Sequence, residues 1–407
     1  MLFPKISFLQ MNWRSGIVVA LLLAVMSSCL FGFVLNCKNS TFRELETVLL
    51  SVQWILLICL TIWCGSFIFL TFGLNKLPLI GLLLISILAY FTSYTASSST
   101  TDAITLLASV TLGIGIKYFL RNWKLEIGNI TVGLVALLVF SSWWHLDMIG
   151  NYHGSRWMGL WNNPNIYGML MGAGVVLAIG LFAGRQKAEC GMQKLLTVVF
   201  FMAAGMMAVG LFFSYSRGAW VATVVGLFYL AKAHGKFKWR FALLGILVVA
   251  AVVWFFWSAT PDTSPWYVKR LDLGRPSAQH RVAAWKAGFE IMRDDPFGVG
   301  WNKAVETFDK HYSPPEGGAV AIITNDYLIL GTELGLPALF CFIAYIYLKF
   351  KQKAADSLQV ACRAGALVLL VAFWFDGGLF NLPTAVVFWI LLELGSTSPQ
   401  SLVPTDV

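Results

Sequence analysis

Twelve stretches of the chain are apolar over enough length to cross a membrane as helices, near 17–35, 48–71, 77–94, 103–120, 130–148, 166–183, 195–213, 218–232, 241–258, 338–350, 359–375 and 379–394. A hydrocarbon core of about 30 Å takes about 20 mostly apolar residues per helix, because each backbone polar group must find its partner within the segment. The tenth stretch is short. The apolar run Tyr327 to Leu336 ahead of it either continues it or forms a separate interfacial helix, with Gly335 and Pro337 marking the break. The pattern predicts an all-α integral membrane protein of about 12 transmembrane helices. Residues 1–258 hold spans one to nine, 259–337 a long outer loop with amphipathic helix, and 338–407 the last three spans and a tail.

Composition agrees: of 407 residues 58% are apolar and 12% charged, and the mean hydropathy is +0.73. A soluble domain that apolar would aggregate. Lys and Arg set the orientation, since short cytoplasmic loops retain them and short translocated loops do not. With the N-terminus inside, the cytoplasmic segments carry Lys76, Lys117, Arg121, Lys124, Arg185, Lys187 and clusters at 232–240 and 349–353. The short outer loops carry only Lys38, Arg43, Arg156 and Arg217. Both termini are therefore expected in the cytoplasm. The net charge of +9 is then a topology signal, and no compact basic motif with interleaved aromatics points to nucleic acid. The cysteines show no metal or redox spacing. Several tryptophans sit at span ends, as an interfacial belt requires.

Four regions on the outer side are more polar than a bland membrane protein needs. His145 to Gly168 carries Arg156 and the cluster Asn162, Asn163, Pro164, Asn165; Asn163 and Pro164 make a helix start, which leaves two amides and an arginine beside hydrocarbon. Ser214 to Trp220 turns between two spans with almost no loop, placing Arg217 near the outer headgroups among small residues. The long loop holds an amphipathic helix capped by Ser277 and ending before Pro296, with Val282, Trp285, Phe289 and Met292 as its apolar stripe and Arg281 on the side of Trp285. Gly298 and Gly300 fit a tight turn or a close approach to a ligand. In Ile323 to Gly335, Asp326 and Glu333 stand two turns apart on one face of an apolar helix.

On the outer side there is no nucleotide pool, so an enzyme there must take an activated substrate, and lipid diphosphates are the usual one. Arginine suits a diphosphate through its planar fork and permanent charge. Fixed guanidinium groups can stabilise a departing diphosphate without a metal. An acceptor hydroxyl attacking a sugar's anomeric carbon needs a base, and a carboxylate or one of the outer histidines His145, His153, His280 and His311 can serve.

At these residues the sequence resembles the O-antigen ligase and O-antigen polymerase family of bacterial envelope glycosyltransferases. The resembling pieces are RWMGLWNNPN at Arg156 to Asn165, SRGAW at Ser216 to Trp220, HRVAAWKAGFEIMRDDPFGVGW at His280 to Trp301, and NDYLILGTELG at Asn325 to Gly335. The resemblance implies a GT-C-like O-antigen ligase fold in the bacterial inner membrane, active on the periplasmic side without metal, ATP or other cofactor. It implies transfer of a glycan from undecaprenyl diphosphate to a glycan, lipid or protein acceptor. Family arginines that contact the diphosphate match Arg217 and Arg281; Arg156 and Asn165 are further substrate-binding candidates. The ligase branch has His where this chain has Thr324, a departure that separates it from lipopolysaccharide ligation proper. The catalytic candidates are accordingly Asp326 or Glu333 as proton acceptor or acceptor-orienting group, with Asn325 beside them and His280 and His311 in reserve. The competing expectation is a polytopic transporter or lipid-linked glycan flippase. Its usual signs, repeat symmetry and polar residues at the midplane, are not the pattern here.

Overall fold

The computed structural model describes residues 74–92, 97–122, 127–143, 156–161, 163–184, 191–235, 276–312 and 325–396. All regular structure among them is helical. The helices are α1 (Leu77–Thr92), α2 (Ser97–Asn122), α3 (Ile127–Trp143), α4 (Pro164–Gly184), α5 (Gly191–Ser214), α6 (Arg217–Ala233), α7 (Pro276–Asp294), α8 (Ala304–His311), α9 (Asp326–Glu333), α10 (Leu336–Lys351), α11 (Ser357–Ala372) and α12 (Leu382–Leu394). The expected spans at 17–35, 48–71 and 241–258 lie outside the described residues. Each of the other nine coincides with a helix. By length and composition Pro164–Ala183 is the one helix among the described residues able to cross a membrane; Leu77–Phe91, Gly128–Ser142, Val198–Ser214, Ser357–Ala372 and Leu382–Leu394 are apolar but shorter.

α4, α11 and α12 form the centre. α4 packs against α5, α6 and α11, α12 against α2 and α11, and α10 against α1. Small residues permit this: a Cβ at Gly168 would meet the side chain of Ser216 at 2.9 Å, and one at Gly172 would strike Thr223. The core is mostly apolar, with Trp389, Tyr167, Phe342 and Phe388 enclosed, and it also buries a few charged groups, among them Asp326, Glu333 and Glu393. The outside is apolar too. Leu88, Phe91, Phe201 and Phe340 are 66%, 70%, 63% and 73% exposed, and each would forgo roughly 1.5–3 kcal/mol of burial if water surrounded it.

The helix ends follow local chemistry. Asn163 caps α4, its Oδ1 accepting the Asn165 N–H at 2.9 Å, with Pro164 in the first helical position where it needs no partner. Ser216 caps α6 after a two-residue turn in which Tyr215 takes a positive φ of 50°. The break before α10 falls at Gly335, φ 88°, so α9 is a separate helix.

Two expectations about the loop helix change. α7 begins at Pro276, so Ser277 lies inside it. Its packed face is Ala284, Ala287, Gly288, Ile291 and Met292 against Phe308, Leu328 and Gly331, so Met292 of the expected stripe is buried, while Val282 and Phe289 point outward, 49% and 58% exposed. Small residues let α7 approach α8 and α9 closely, and close packing outweighs the larger apolar stripe. The 297–300 turn likewise serves the protein's own backbone. Gly300 N–H donates to the Glu333 carbonyl and Val299 N–H to that of Thr332, both at 2.9 Å, and a Cβ at Gly298 would lie 2.6 Å from the Gly335 nitrogen.

Candidate active site

Three of the four polar regions converge on a carboxylate in the turn between α11 and α12, Asp376. Asp376 Oδ1 accepts from Arg281 Nη2 at 3.1 Å and from Asn165 Nδ2 at 2.9 Å. Asn165 Oδ1 accepts in turn from Arg156 Nη2 at 2.6 Å, and Arg156 Nε donates to the Ser214 carbonyl at 2.8 Å, the end of α5. Arg217, the first residue of α6, is close enough for its charge to act on Asp376. Burial pushes the Asp376 carboxyl up to about 6, against the pull of Arg281, Arg156 and Arg217. Three guanidinium groups around one carboxylate leave the site net positive, the condition for holding an anion. Arg281 is one-third exposed, so the cluster opens on its α7 side.

The fourth region stands behind this cluster. Asp326 is 1% exposed, and its Oδ2 accepts the N–H groups of Gly378 and Leu379 at 2.7 and 2.8 Å. It thereby fixes the turn that presents Asp376. Its Oδ1 is buried with no hydrogen-bond partner, and burial, opposed by the two backbone bonds, pushes the carboxyl up to about 7. Glu333 is buried as well, its Oε2 accepting the Asn302 N–H at 2.9 Å; burial pushes it up to about 8. Asn325 caps α9, its Oδ1 accepting from the Tyr327 and Leu328 N–H groups. Each of these three residues thus accepts from backbone N–H groups through one side-chain oxygen.

Residues 202–343 match the family model described as O-antigen ligase. Over this stretch, less than half of the chain, the sequence is similar to the O-antigen ligase family. No curated protein matches the chain.

The O-antigen ligase match includes Arg217, Arg281, Asn325, Asp326 and Glu333, while Arg156, Asn165 and Asp376 lie outside it. His280 is on α7 with its side chain outside the described residues, as are His145, His153 and Thr324. His311 stands exposed at the end of α8. Sequence reasoning omits Asp376, although the signal is there: a lone acid in FDGG, in a turn of a few residues on the same predicted side as Arg217. An aromatic wall adjoins it, with Trp374 between Trp285 and Tyr327 at ring distances of 5.6 Å to each. Trp285 is one helical turn from Arg281 and has a buried Nε1 without a partner.

Proposed function

We propose that this chain is a membrane glycosyltransferase of the O-antigen polymerase or ligase type, moving a glycan from undecaprenyl diphosphate to an acceptor hydroxyl on the periplasmic side of the bacterial inner membrane. The observation that carries the reading is the meeting of Arg156, Arg217 and Arg281 around Asp376. The expected topology, with about 12 spans in a GT-C-like arrangement and both termini in the cytoplasm, accounts for the exposed apolar belt and puts this cluster at the outer lipid boundary. A lipid diphosphate arriving there meets positive charge at the level of its own headgroup.

In this mechanism the guanidinium groups of Arg217 and Arg281 bind the diphosphate oxygens. The acceptor oxygen attacks the anomeric carbon, the bond from that carbon to the diphosphate oxygen breaks, and its electron pair leaves on the diphosphate, where the arginines stabilise it. The hydroxyl proton passes to Asp376. Both bonds described for Asp376 fall on Oδ1, which leaves Oδ2 for the proton, and a carboxyl held near 6 is ionised at neutral pH yet basic enough to accept. Asp326 and Glu333, proposed from sequence as the base, act here as positioning residues, and Asn325 as a cap. Holding two lipid-bound reactants in one plane supplies much of the remaining advantage.

The test is release of undecaprenyl diphosphate from a lipid-linked oligosaccharide by the purified chain in liposomes. Arg217→Ala and Arg281→Ala should each lower transfer by about 10²-fold or more while the chain still inserts. Transfer that survives both changes refutes the diphosphate assignment.

A further inference from the structure

The end of the helix bundle away from Asp376 carries a second cationic cluster, built by different residues. α12 runs from the Asp376 turn to Glu393, and its 13 residues separate the two by roughly 20 Å. Glu393 is 2% exposed; its Oε2 accepts from Lys349 Nζ of α10 at 2.6 Å, and its Oε1 accepts from the Tyr345 hydroxyl. Lys117 of α2 lies 3.6 Å from the same Oε2 and 3.4 Å from the Ser396 carbonyl and hydroxyl. Lys349 also reaches Ser396 Oγ, at 3.3 Å. Lys76 acts electrostatically on both Glu393 and Lys117. Arg363 of α11, 4% exposed, closes the back of the cluster: its Nε donates to the Gly395 carbonyl at 2.7 Å, while its Nη2 is buried with no partner.

Among the described residues this end therefore gathers Lys117, Lys349 and Arg363 around one buried carboxylate, with Lys76 within electrostatic reach. Asp356, whose Oδ1 accepts the Gln359 N–H at 2.7 Å to cap α11, adds a second carboxylate at this end, and the balance stays positive. A structural ion pair needs one lysine, and Lys349 supplies it. Excess buried charge is costly unless a counterion meets it, and the orphan Arg363 Nη2 gives an anion a donor to satisfy. Lys117, with its side chain 31% exposed, keeps the cluster open to the surface. Lys76, Lys117, Lys349 and Arg363 all belong to segments that charge distribution assigns to the cytoplasm.

We propose that this cluster is a binding site for a phosphate group at the cytoplasmic face, separate from the glycan-transfer site. Two sources present that chemistry there, the headgroup of an anionic phospholipid and soluble phosphate. The open lysines would hold its oxygens, with the Arg363 Nη2 behind them.

The test is native mass spectrometry and thermal unfolding of the full detergent-solubilised chain. It is titrated with dioleoyl phosphatidylglycerol, with dioleoyl phosphatidylcholine as the zwitterionic control, and separately with sodium phosphate. Lys117→Gln and Arg363→Gln should each weaken binding about tenfold or more, the loss expected for one charge-assisted bond. Lys351→Gln, at an exposed position on the same end, should bind as the unaltered chain does. If Arg363→Gln fails to fold, Lys117→Gln carries the test alone. Stabilisation by phosphatidylglycerol and not by phosphate assigns a lipid; stabilisation by phosphate as well assigns the soluble anion. The proposal is overturned if neither ligand binds better than phosphatidylcholine, if Lys117→Gln leaves binding intact, or if Lys351→Gln reduces it equally.

Discussion

Asp326 separates two mechanisms, because as a base it must exchange a proton and as a clamp it must only accept bonds. Its Oδ2 takes both backbone N–H groups of the Asp376 turn, while Oδ1 has no partner. In Asp326→Asn the amide oxygen can occupy the Oδ2 position and keep both bonds, so apart from the loss of titration stability should change by no more than about 1 kcal/mol. Asp326→Ala strands two buried N–H groups at about 1–3 kcal/mol each, for a loss of roughly 2–6 kcal/mol. The pH dependence gives an independent sign. The folded carboxyl titrates near 7 against 3.8 for an ordinary aspartate, so between those values the folded state holds a proton that the unfolded state has released. Stability contributed by this group is present below about pH 4 and is lost as pH rises through 7. Asp326→Asn should flatten that decline and be relatively most stable above pH 7. The assay pairs thermal unfolding from pH 5 to 8.5 with undecaprenyl diphosphate release. A base would show the opposite result: transfer down 10²-fold or more in Asp326→Asn with unfolding unchanged, and that outcome refutes the clamp.

Asp376→Asn should lower transfer by about 10²- to 10⁴-fold while the chain still binds a lipid diphosphate, measured by retention of a labelled donor on liposomes. In the unaltered chain, transfer should decline as pH falls through about 6, because the protonated carboxyl cannot accept the hydroxyl proton; a rate flat to pH 5 argues against Asp376 as the acceptor. Gly298→Ala should destabilise the chain by about 2 kcal/mol or more, since its Cβ would lie 2.6 Å from the Gly335 nitrogen at a φ of 87°. Gly205→Ala, in α5 with nothing within 4 Å, should be neutral or slightly stabilising by up to about 1 kcal/mol; equal unfolding temperatures for the two would contradict the crossing of the two turns.

Sequence alone determined the helical class, nine of the helix positions, the cap at Asn163 and the tight turn at Ser214 to Trp220, and it marked Gly335 as a candidate break, because each follows from local hydropathy and from hydrogen bonds spanning a few residues. It also picked out Arg156, Asn165, Arg217 and Arg281, since charge beside hydrocarbon is costly wherever it occurs. Only the tertiary structure decided that these residues meet at Asp376, whose partners lie 95 and 211 positions away in the chain. The same long-range packing turned Asp326 and Glu333 inward: a seven-residue spacing places two carboxylates on one helix face, but which neighbour that face meets is settled by the turns at 298–302 and 376–379. It also drew Lys76, Lys117, Lys349 and Arg363, scattered basic residues in sequence, around one buried glutamate. Periodicity reports which side of a helix is apolar; close packing of small residues reports which side is buried, and in α7 the two differ.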